Sequence, residues 1–220
     1  NLSNFSNEVH YVLDIGGHHG KWSLNLLNKF NVSKIYIVEA NKYSFKILKE
    51  NIYKNNLSKK CIAYNKFLDK EKKKIFLYDT ENLGSTISSK YKESLSVRNI
   101  NNLKQISIET DTLDNLVNKE NIKDNDLIKI DCEGNELNIL EGGIQTLIKL
   151  KPKLLLFENN YHSLITGSSI YRIKKLLNNY KIYRLLPNSM IEIKTGIEID
   201  SSINLFSNYL AILSKNIDKS

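Results

Sequence analysis

The sequence predicts an α/β fold in which helices cover both faces of a mainly parallel β-sheet. Short apolar runs typical of buried strands alternate with longer segments whose apolar residues have helical spacing. Repeated strand–helix units pair their strands in parallel, because each helix carries the chain back across the sheet. The last segment contains predicted strands only, which indicates an antiparallel hairpin added at one sheet edge.

Three strands and two helices are predicted first. Residues 11–15 (YVLDI) form an apolar run that ends in glycines, and residues 34–38 (KIYIV) and 61–68 predict the next two strands. Residues 21–30 and 43–53 lie between these strands and carry their apolar side chains on one helical face.

An insertion interrupts the alternation at about residues 70–110. Residues 74–78 and 104–109 predict an extra strand pair, joined by the polar segment 81–102. A loop of this length is long for a compact domain, and such loops are often functional. We therefore expect the segment 81–102 to contribute to binding a substrate.

The alternation then resumes and ends in strands. The remaining predicted elements are helices over residues 112–117, 135–149 and 169–179 and strands over residues 127–130, 154–157, 182–186, 191–194 and 209–213. No internal repeat and no linker rich in proline or glycine divides the chain. The sequence therefore predicts a single domain over residues 1–220.

Composition is that of an ordinary globular protein, with 41% hydrophobic and 25% charged residues. No stretch approaches ~18 uncharged apolar residues, so no transmembrane helix is predicted. The first residues lack the basic-then-apolar order of a signal peptide, and the chain has no initiating methionine, so we expect that an N-terminal portion is missing. Cys61 and Cys132 lie far apart in apolar runs, which favours reduced, buried thiols and a cytoplasmic protein.

The net charge of +8 comes almost entirely from scattered lysines. Proteins that read nucleic-acid sequence use arginine forks and interleaved aromatic side chains, whereas the arginines here are only Arg98, Arg172 and Arg184. We therefore expect no nucleic-acid partner. The positive net charge alone still allows attraction to an acidic substrate or to an anionic membrane surface.

A glycine turn, DIGGHHG, joins the first strand to the first helix. Glycine lets the backbone turn sharply and approach a ligand closely, which makes Gly16, Gly17 and Gly20 candidate cofactor residues. A dinucleotide site needs G-x-G-x-x-G, but His18 and Lys21 stand where the second and third glycines belong.

An acid, Asp14, stands before these glycines. Its carboxylate repels a pyrophosphate but suits the ammonium group of an amino-acid moiety. The turn therefore favours a cofactor with a zwitterionic tail, such as S-adenosylmethionine. The alternative is a glycine turn with a helix-capping acid.

Two further acids follow the next strands. Glu39 ends the second strand, where a carboxylate can accept hydrogen bonds from both ribose hydroxyls of a nucleoside. Asp69 follows the third strand and is a weaker candidate for the adenine end of the pocket, because Asp69-Lys70 also suits a charged turn. A solvated strand end is the alternative for Glu39.

Acidic residues also follow the fourth and fifth strands. Asp131 ends the fourth strand in the segment DCEGNE, and Glu158 ends the fifth. Because open α/β sheets bind ligands at the carboxyl ends of their strands, we expect these two carboxylates on one rim. For Glu136 there is a structural alternative, since an acid at this position also stabilises the N-terminus of the following helix. His162 is a candidate proton acceptor or a polar surface residue.

These motifs together resemble the FkbM-type methyltransferases, a branch of the class I S-adenosylmethionine-dependent enzymes. The resemblance covers about residues 11–158, most of the chain. The matching segments are VLDIGG at 12–17 with Gly20, VEAN at 38–41 with Leu48 and Asn51, TLD at 112–114, and IKIDCEGNE at 128–136 with Leu140 and Gly142. The first motif is widespread, whereas KIDCEGNE preceded by TLD is much more specific.

The resemblance implies a Rossmann-like, seven-stranded sheet in the order 3-2-1-4-5-7-6. It also implies O-methylation of a hydroxyl on a sugar, polysaccharide precursor or secondary metabolite as the usual reaction. One departure is His18, where the family usually has asparagine, and Gly17 replaces a frequent alanine. We expect His18 to contact the cofactor.

Methyl transfer to a hydroxyl requires alignment of the reacting atoms and removal of a proton. Asp131 is the first candidate for the base and is also expected at the cofactor, with Glu158 and His162 next. Expected acceptor contacts are Ser85, Glu133, Asn159 and Asn160. No metal-ligand spacing supports a metal ion.

Three other functions remain as alternatives. They are an N-methyltransferase acting on a small molecule or protein, a nicotinamide-dependent oxidoreductase, and a non-catalytic nucleoside-binding module. The last would keep Asp14 and Glu39 yet show no turnover. The acceptor and the oligomeric state are not predicted.

Overall fold

The computed structural model describes residues 9–80, 88–89, 103–160, 163, 166–195 and 206–214. Its strands are β1 (Tyr11–Ile15), β2 (Lys34–Glu39), β3 (Cys61–Asn65), β4 (Phe67–Leu68), β5 (Lys74–Thr80), β6 (Ser88–Ser89), β7 (Leu103–Asp111), β8 (Leu127–Ile130), β9 (Leu154–Asn160), β10 (Tyr180–Leu185), β11 (Met190–Ile193) and β12 (Phe206–Leu213). Its helices are α1 (Lys21–Lys29), α2 (Lys42–Lys54), α3 (Leu113–Lys119), α4 (Glu136–Glu141), α5 (Ile144–Leu150) and α6 (Ile170–Leu176). None of these helices is long and apolar enough to cross a membrane.

The main sheet has eight strands in the order β11-β10-β12-β9-β8-β1-β2-β3. Strands β3, β2, β1, β8 and β9 are parallel, and β12, β10 and β11 continue the sheet in antiparallel fashion. The first seven strands from the β3 edge have the expected order 3-2-1-4-5-7-6, which confirms the fold class. The eighth strand, β11, extends the sheet because its residues pair with β10, with Ile193 opposite Ile182.

The insertion contributes to a separate four-stranded sheet in the order β4-β7-β5-β6. The predicted strand over residues 61–68 is therefore two strands, since β3 stays in the main sheet and β4 pairs with β7. The predicted antiparallel pair of the insertion is confirmed by β5 and β7, with Lys74 opposite Glu109. Most of the segment 81–102 lies outside the described residues.

The core lies on both faces of the main sheet. Along β1, Leu13 and Ile15 belong to one apolar cluster, whereas Val12 belongs to the other, since successive strand residues point to opposite faces. Helix α1 packs on the Val12 face through Leu26, and α3, α4 and α6 pack on the opposite face. This arrangement confirms the prediction of helices on both faces.

The predicted helix over residues 135–149 is two helices that meet at Gly142 and Gly143. A Cβ at Gly142 would overlap the carbonyl group of Asp69, so the backbone passes very close to the chain after β4. The side chain of Asp114 accepts hydrogen bonds from the N–H groups of Gln145 and Thr146 and caps the second helix. The break therefore results from tertiary contacts that the local periodicity does not contain.

Candidate active site

The carboxyl ends of β1, β2 and β8 enclose a cavity of about 380 Å³, called here the strand-end cavity. Parallel strands bring these ends to one edge of the sheet, where the connecting loops can bind a ligand. The lining residues are Ile15, Gly16, His18, Val38, Glu39, Ala40, Lys66, Phe67, Leu68, Asp131, Cys132, Glu133, Asn135 and Ile139.

The glycine turn after β1 forms one wall of this cavity. The N–H groups of Gly16 and Gly17 both donate to the Val38 carbonyl, at 2.9 and 3.0 Å, and fix the turn against β2. Gly16 has a φ of +78°, and a Cβ there would overlap the Asp131 carbonyl. Glycine is therefore required both by the left-handed backbone and by the close approach of the β8 loop.

Glu39 joins the glycine turn to the start of α2. Its carboxylate accepts hydrogen bonds from the His18 N–H at 2.7 Å and the Asn41 N–H at 2.8 Å. Burial raises the pKa of Glu39, and these two donors offset only part of the rise. A carboxylate has about four acceptor positions, so Glu39 keeps acceptor capacity on the side that lines the cavity.

His18 lies at the mouth of the cavity with a left-handed backbone, at a φ of 50°. Its ring stacks on that of His19, with 3.8 Å between ring centroids. Burial and the neighbouring His19 lower the pKa of His18, so its imidazole is neutral at pH 7.

Asp14 lies beneath the turn, fully buried, and does not line the cavity. Its carboxylate accepts hydrogen bonds from the Ser23 hydroxyl at 2.6 Å and from the Lys129 ammonium at 3.1 Å. The ammonium group that faces Asp14 in the structure is therefore that of a lysine of this chain. The contact of Asp14 with the amino-acid tail of a cofactor, expected from the sequence, stays a prediction.

Lys129 connects the glycine turn with Asp131. Its ammonium lies 3.4 Å from the Asp131 carboxylate and 3.4 Å from the Gly16 carbonyl oxygen. Burial opposes its charge, but the carboxylates of Asp14 and Asp131 outweigh that effect and raise the pKa of Lys129. The lysine therefore stays charged between the two acids.

Asp131 lines two cavities. The second cavity, of about 470 Å³, lies on the α1 side of the sheet and is called here the α1 cavity. Its lining residues are Trp22, Lys129, Ile130, Asp131, Leu156, Phe157, Glu158, Leu185, Leu186, Pro187 and Asn208. Among the described residues, Asp131 is the one common to the two linings, and its side chain is 47% exposed. The structure thus brings Asp131 and Glu158 to one rim, as expected, with Glu158 in the α1 cavity alone.

Glu136 holds the loop after β8. Its Oε1 atom accepts hydrogen bonds from the N–H groups of Cys132 and Gly134, at 2.8 and 3.3 Å. Oε2 is buried without a hydrogen-bond partner among the described residues. Burial raises the pKa of Glu136 to about 8, although the backbone donors lower it in part, and Glu158 raises it further. Glu136 is therefore largely protonated at pH 7.

Several other predicted site residues lie outside the strand-end cavity. Gly17 packs against Ile37, and Gly20 precedes α1 with a φ of 84°. Asp69 is buried, and its carboxylate accepts a hydrogen bond from the Lys70 N–H. Three residues before it, Lys66, Phe67 and Leu68, line the cavity instead.

The expected acceptor contacts are spread over different places. Glu133 lines the strand-end cavity with a φ of 53°. The buried Asn159 donates from its amide to the Ser168 carbonyl at 2.6 Å and so supports the turn before α6. The backbone of Asn160 pairs with Phe206. Ser85 and His162 lie outside the described residues.

The sequence reasoning missed Lys129 and the segment 66–68. Lys129 carried a signal, since it is a charged residue inside the apolar strand Leu-Ile-Lys-Ile. Cys132 also differs from the expectation of a buried thiol, because it is half-buried and lines the cavity, whereas Cys61 is buried. Both thiols are free.

Comparisons with known proteins identify the family. The family described as Methyltransferase FkbM domain matches residues 14–182. The fold resembles a methyltransferase FkbM from Methylobacillus flagellatus KT, with a TM-score of 0.55 and 15% identity over 92% of this chain and 43% of that one. It also resembles the METTL16 methyltransferase domain, with a TM-score of 0.53 and 11% identity over 96% of this chain and 62% of that one.

A third similar structure is that of M. capricolum TrmK in complex with S-adenosylhomocysteine. Its TM-score is 0.50, with 12% identity over 97% of this chain and 67% of that one. No curated protein sequence matches the chain significantly. The chain spans less than half the length of the Methylobacillus protein. Since the family match covers most of its length, the chain belongs to the FkbM methyltransferase family.

Proposed function

We propose that this chain binds S-adenosylmethionine in the strand-end cavity and transfers its methyl group to a hydroxyl of a small-molecule or glycan acceptor in the α1 cavity. The observation that carries this proposal is the position of Asp131, which lines both cavities. A group bound on one side of Asp131 can meet a group bound on the other. Methyl transfer needs such a meeting of two bound molecules.

The residues of the strand-end cavity fit the cofactor. A volume of about 380 Å³ is within the range of small-molecule sites, and Glu39 supplies a buried carboxylate for the ribose hydroxyls. Val38, Phe67 and Leu68 offer apolar walls for the adenine ring. TrmK, which has the same fold, binds S-adenosylhomocysteine, and this supports the same ligand here.

The other predicted cofactor residues would act through the loop. Gly16 and His18 border the cavity, while Gly17 and Gly20 allow the turn that holds them there. Asp14 would act indirectly, because it holds the Lys129 ammonium beside Asp131 and the Gly16 carbonyl.

When bound, S-adenosylmethionine supplies a methyl carbon on a positively charged sulfur that leaves as a neutral thioether. Asp131 would accept the proton of the attacking hydroxyl as the new carbon–oxygen bond forms. Lys129, at 3.4 Å, would hold the Asp131 carboxylate in place. Glu158, in the same cavity, would orient the acceptor or take over the proton.

An acceptor hydroxyl on a sugar, polysaccharide precursor or secondary metabolite is part of this proposal. Support comes from the carboxylates at the rim, which suit proton removal from a hydroxyl. Glu133, at the strand-end cavity, is proposed to contact the acceptor near the methyl group.

Calorimetry with S-adenosylhomocysteine tests the cofactor. Replacing Glu39 by alanine removes a buried acceptor, so affinity should fall by roughly tenfold or more, since a hydrogen bond to a charged group contributes about 1.5–3 kcal/mol. The control is Glu50→Ala, on the exposed face of α2. Failure of the wild type to bind S-adenosylhomocysteine, or equal affinity in the Glu39 variant, would contradict the proposed site.

A further inference from the structure

We propose that the methyl acceptor is an amphiphile, with a hydroxyl-bearing head beside Asp131 and an apolar tail in a groove between α1 and the β10–β11 turn. The inference rests on the proposed function, because it takes Asp131 as the group that faces the acceptor hydroxyl. The tail, however, is assigned from the shape and polarity of the groove itself.

The groove consists of the α1 cavity and an adjoining cavity of about 790 Å³, and is called here the α1 groove. The two cavities share Trp22, Leu156, Leu185, Leu186 and Pro187, so they adjoin each other. From Asp131, the groove therefore extends past Trp22 to the α1 residues Asn25, Leu26 and Lys29. Each cavity is within the size range of small-molecule sites.

Charged groups lie at the Asp131 end of the α1 cavity. Asp131, Glu158 and Lys129 line it there, and the Lys129 ammonium is 5.6 Å from the centroid of the Trp22 ring. Carboxylates and an ammonium bind hydroxyl groups well, and the electron-rich face of a tryptophan ring packs against the C–H face of a sugar ring. This end suits a polyhydroxylated head.

Apolar side chains form the floor and wall of the adjoining cavity. Leu26 and Leu210 are buried beneath it, whereas Leu186 and Met190 are 37% and 43% exposed along its side. Its polar residues, Asn25, Lys29, Asn188 and Ser189, are all exposed and form the rim. An apolar floor with a polar rim is the arrangement that binds a hydrocarbon chain and excludes water around it.

The two ends together select the acceptor class. A fully polar sugar would leave the Leu186 and Met190 side chains in water, and a simple hydrocarbon would bring no hydroxyl to the Asp131 carboxylate. An amphiphile satisfies both ends. Each buried methylene group should improve affinity roughly fourfold, so affinity should rise with tail length.

Trp22 provides a direct readout, because it is the only tryptophan of the chain and lines both cavities of the groove. We would titrate the protein with n-octyl β-D-glucopyranoside below its micelle-forming concentration, and with methyl β-D-glucopyranoside, and follow tryptophan fluorescence. The octyl glucoside should bind at least about tenfold more tightly than the methyl glucoside. Equal affinity for the two glucosides, or no response to either, would overturn the inference.

Two matched variants locate the tail. Leu186→Asp puts a charge in the groove, and its fluorescence response to the octyl glucoside should be lost. Ile148→Asp also introduces a charge at an exposed aliphatic side chain, on α5 and outside the groove, where Ile148 is 61% exposed, and its response should be that of the wild type. A wild-type response in Leu186→Asp would also overturn the inference.

The experiment separates this inference from the proposed function. Both variants should bind S-adenosylhomocysteine in calorimetry as the wild type does, since neither residue lines the strand-end cavity. If the wild type does not bind S-adenosylhomocysteine, the proposed function is refuted. If the two glucosides bind with equal affinity, only the amphiphilic acceptor is refuted.

Discussion

Glu136→Gln should change the pH dependence of stability more than the fold itself. Glu136 is 1% exposed, and its Oε1 accepts two backbone hydrogen bonds that a glutamine oxygen can accept equally. The substitution therefore keeps size and most hydrogen bonding but removes the ability to ionise. Below about pH 4, where the carboxyl is mainly neutral in both the folded and the unfolded chain, wild type and variant should have similar free energies of unfolding.

The sign follows from the raised pKa. Burial raises the pKa of Glu136 from 4.5 to about 8 in the folded chain. Between these values the folded chain holds a proton that the unfolded chain has lost, so wild-type stability falls as pH rises. One pKa unit corresponds to 1.36 kcal/mol, so the loss by pH 8 is on the order of 4 kcal/mol. The variant lacks this loss and should be the more stable protein at pH 8.

Urea unfolding at pH 5, 6, 7 and 8 measures the free energy of unfolding of wild type and Glu136→Gln. The difference between the two values isolates Glu136, because all other titrating groups are present in both proteins. Glu50→Gln is the matched control, because it makes the same chemical change at a half-exposed carboxylate that pairs with Lys54. The control should follow the wild type at every pH. A constant difference between Glu136→Gln and wild type from pH 5 to 8 would refute the reasoning.

Three further predictions concern residues around the two cavities. Asp131→Asn should lower kcat by ~10²–10⁴-fold in a methyl-transfer assay, with cofactor affinity and melting temperature near wild type; turnover within a few-fold of wild type would make Asp131 structural. Lys129→Met should destabilise the fold by about 3–5 kcal/mol in urea unfolding, because it leaves the buried Asp14 carboxylate without its cation, whereas Lys129→Arg keeps the charge and should recover part of the loss. Gly16→Ala should lower both the melting temperature and the affinity for S-adenosylhomocysteine, since a Cβ there meets the Asp131 carbonyl; calorimetry that finds wild-type affinity would exclude the close approach.

The helices and strands were predicted from local patterns, and these predictions agree with the structure where an element depends only on residues close to it in the sequence. The apolar run at Tyr11–Ile15 and the helical spacing before Lys54 each depend on neighbouring residues only. The division of the third predicted strand after Asn65 was not predicted, because it depends on pairing with the distant β7. The helix break at Gly142 was missed for the same reason, since Asp69 and Asp114 produce it.

By itself, the sequence determined the fold class, the central position of the glycine turn, and the acids at the strand ends. These features follow from residue type and spacing along a single stretch of chain. Only the tertiary structure decided what each acid does. Asp14 binds a lysine 115 residues away, and Asp131 lies between two cavities, because strand register and helix placement set side-chain neighbours. Long-range pairing is the sum of many contacts across the sheet, and no local pattern encodes it.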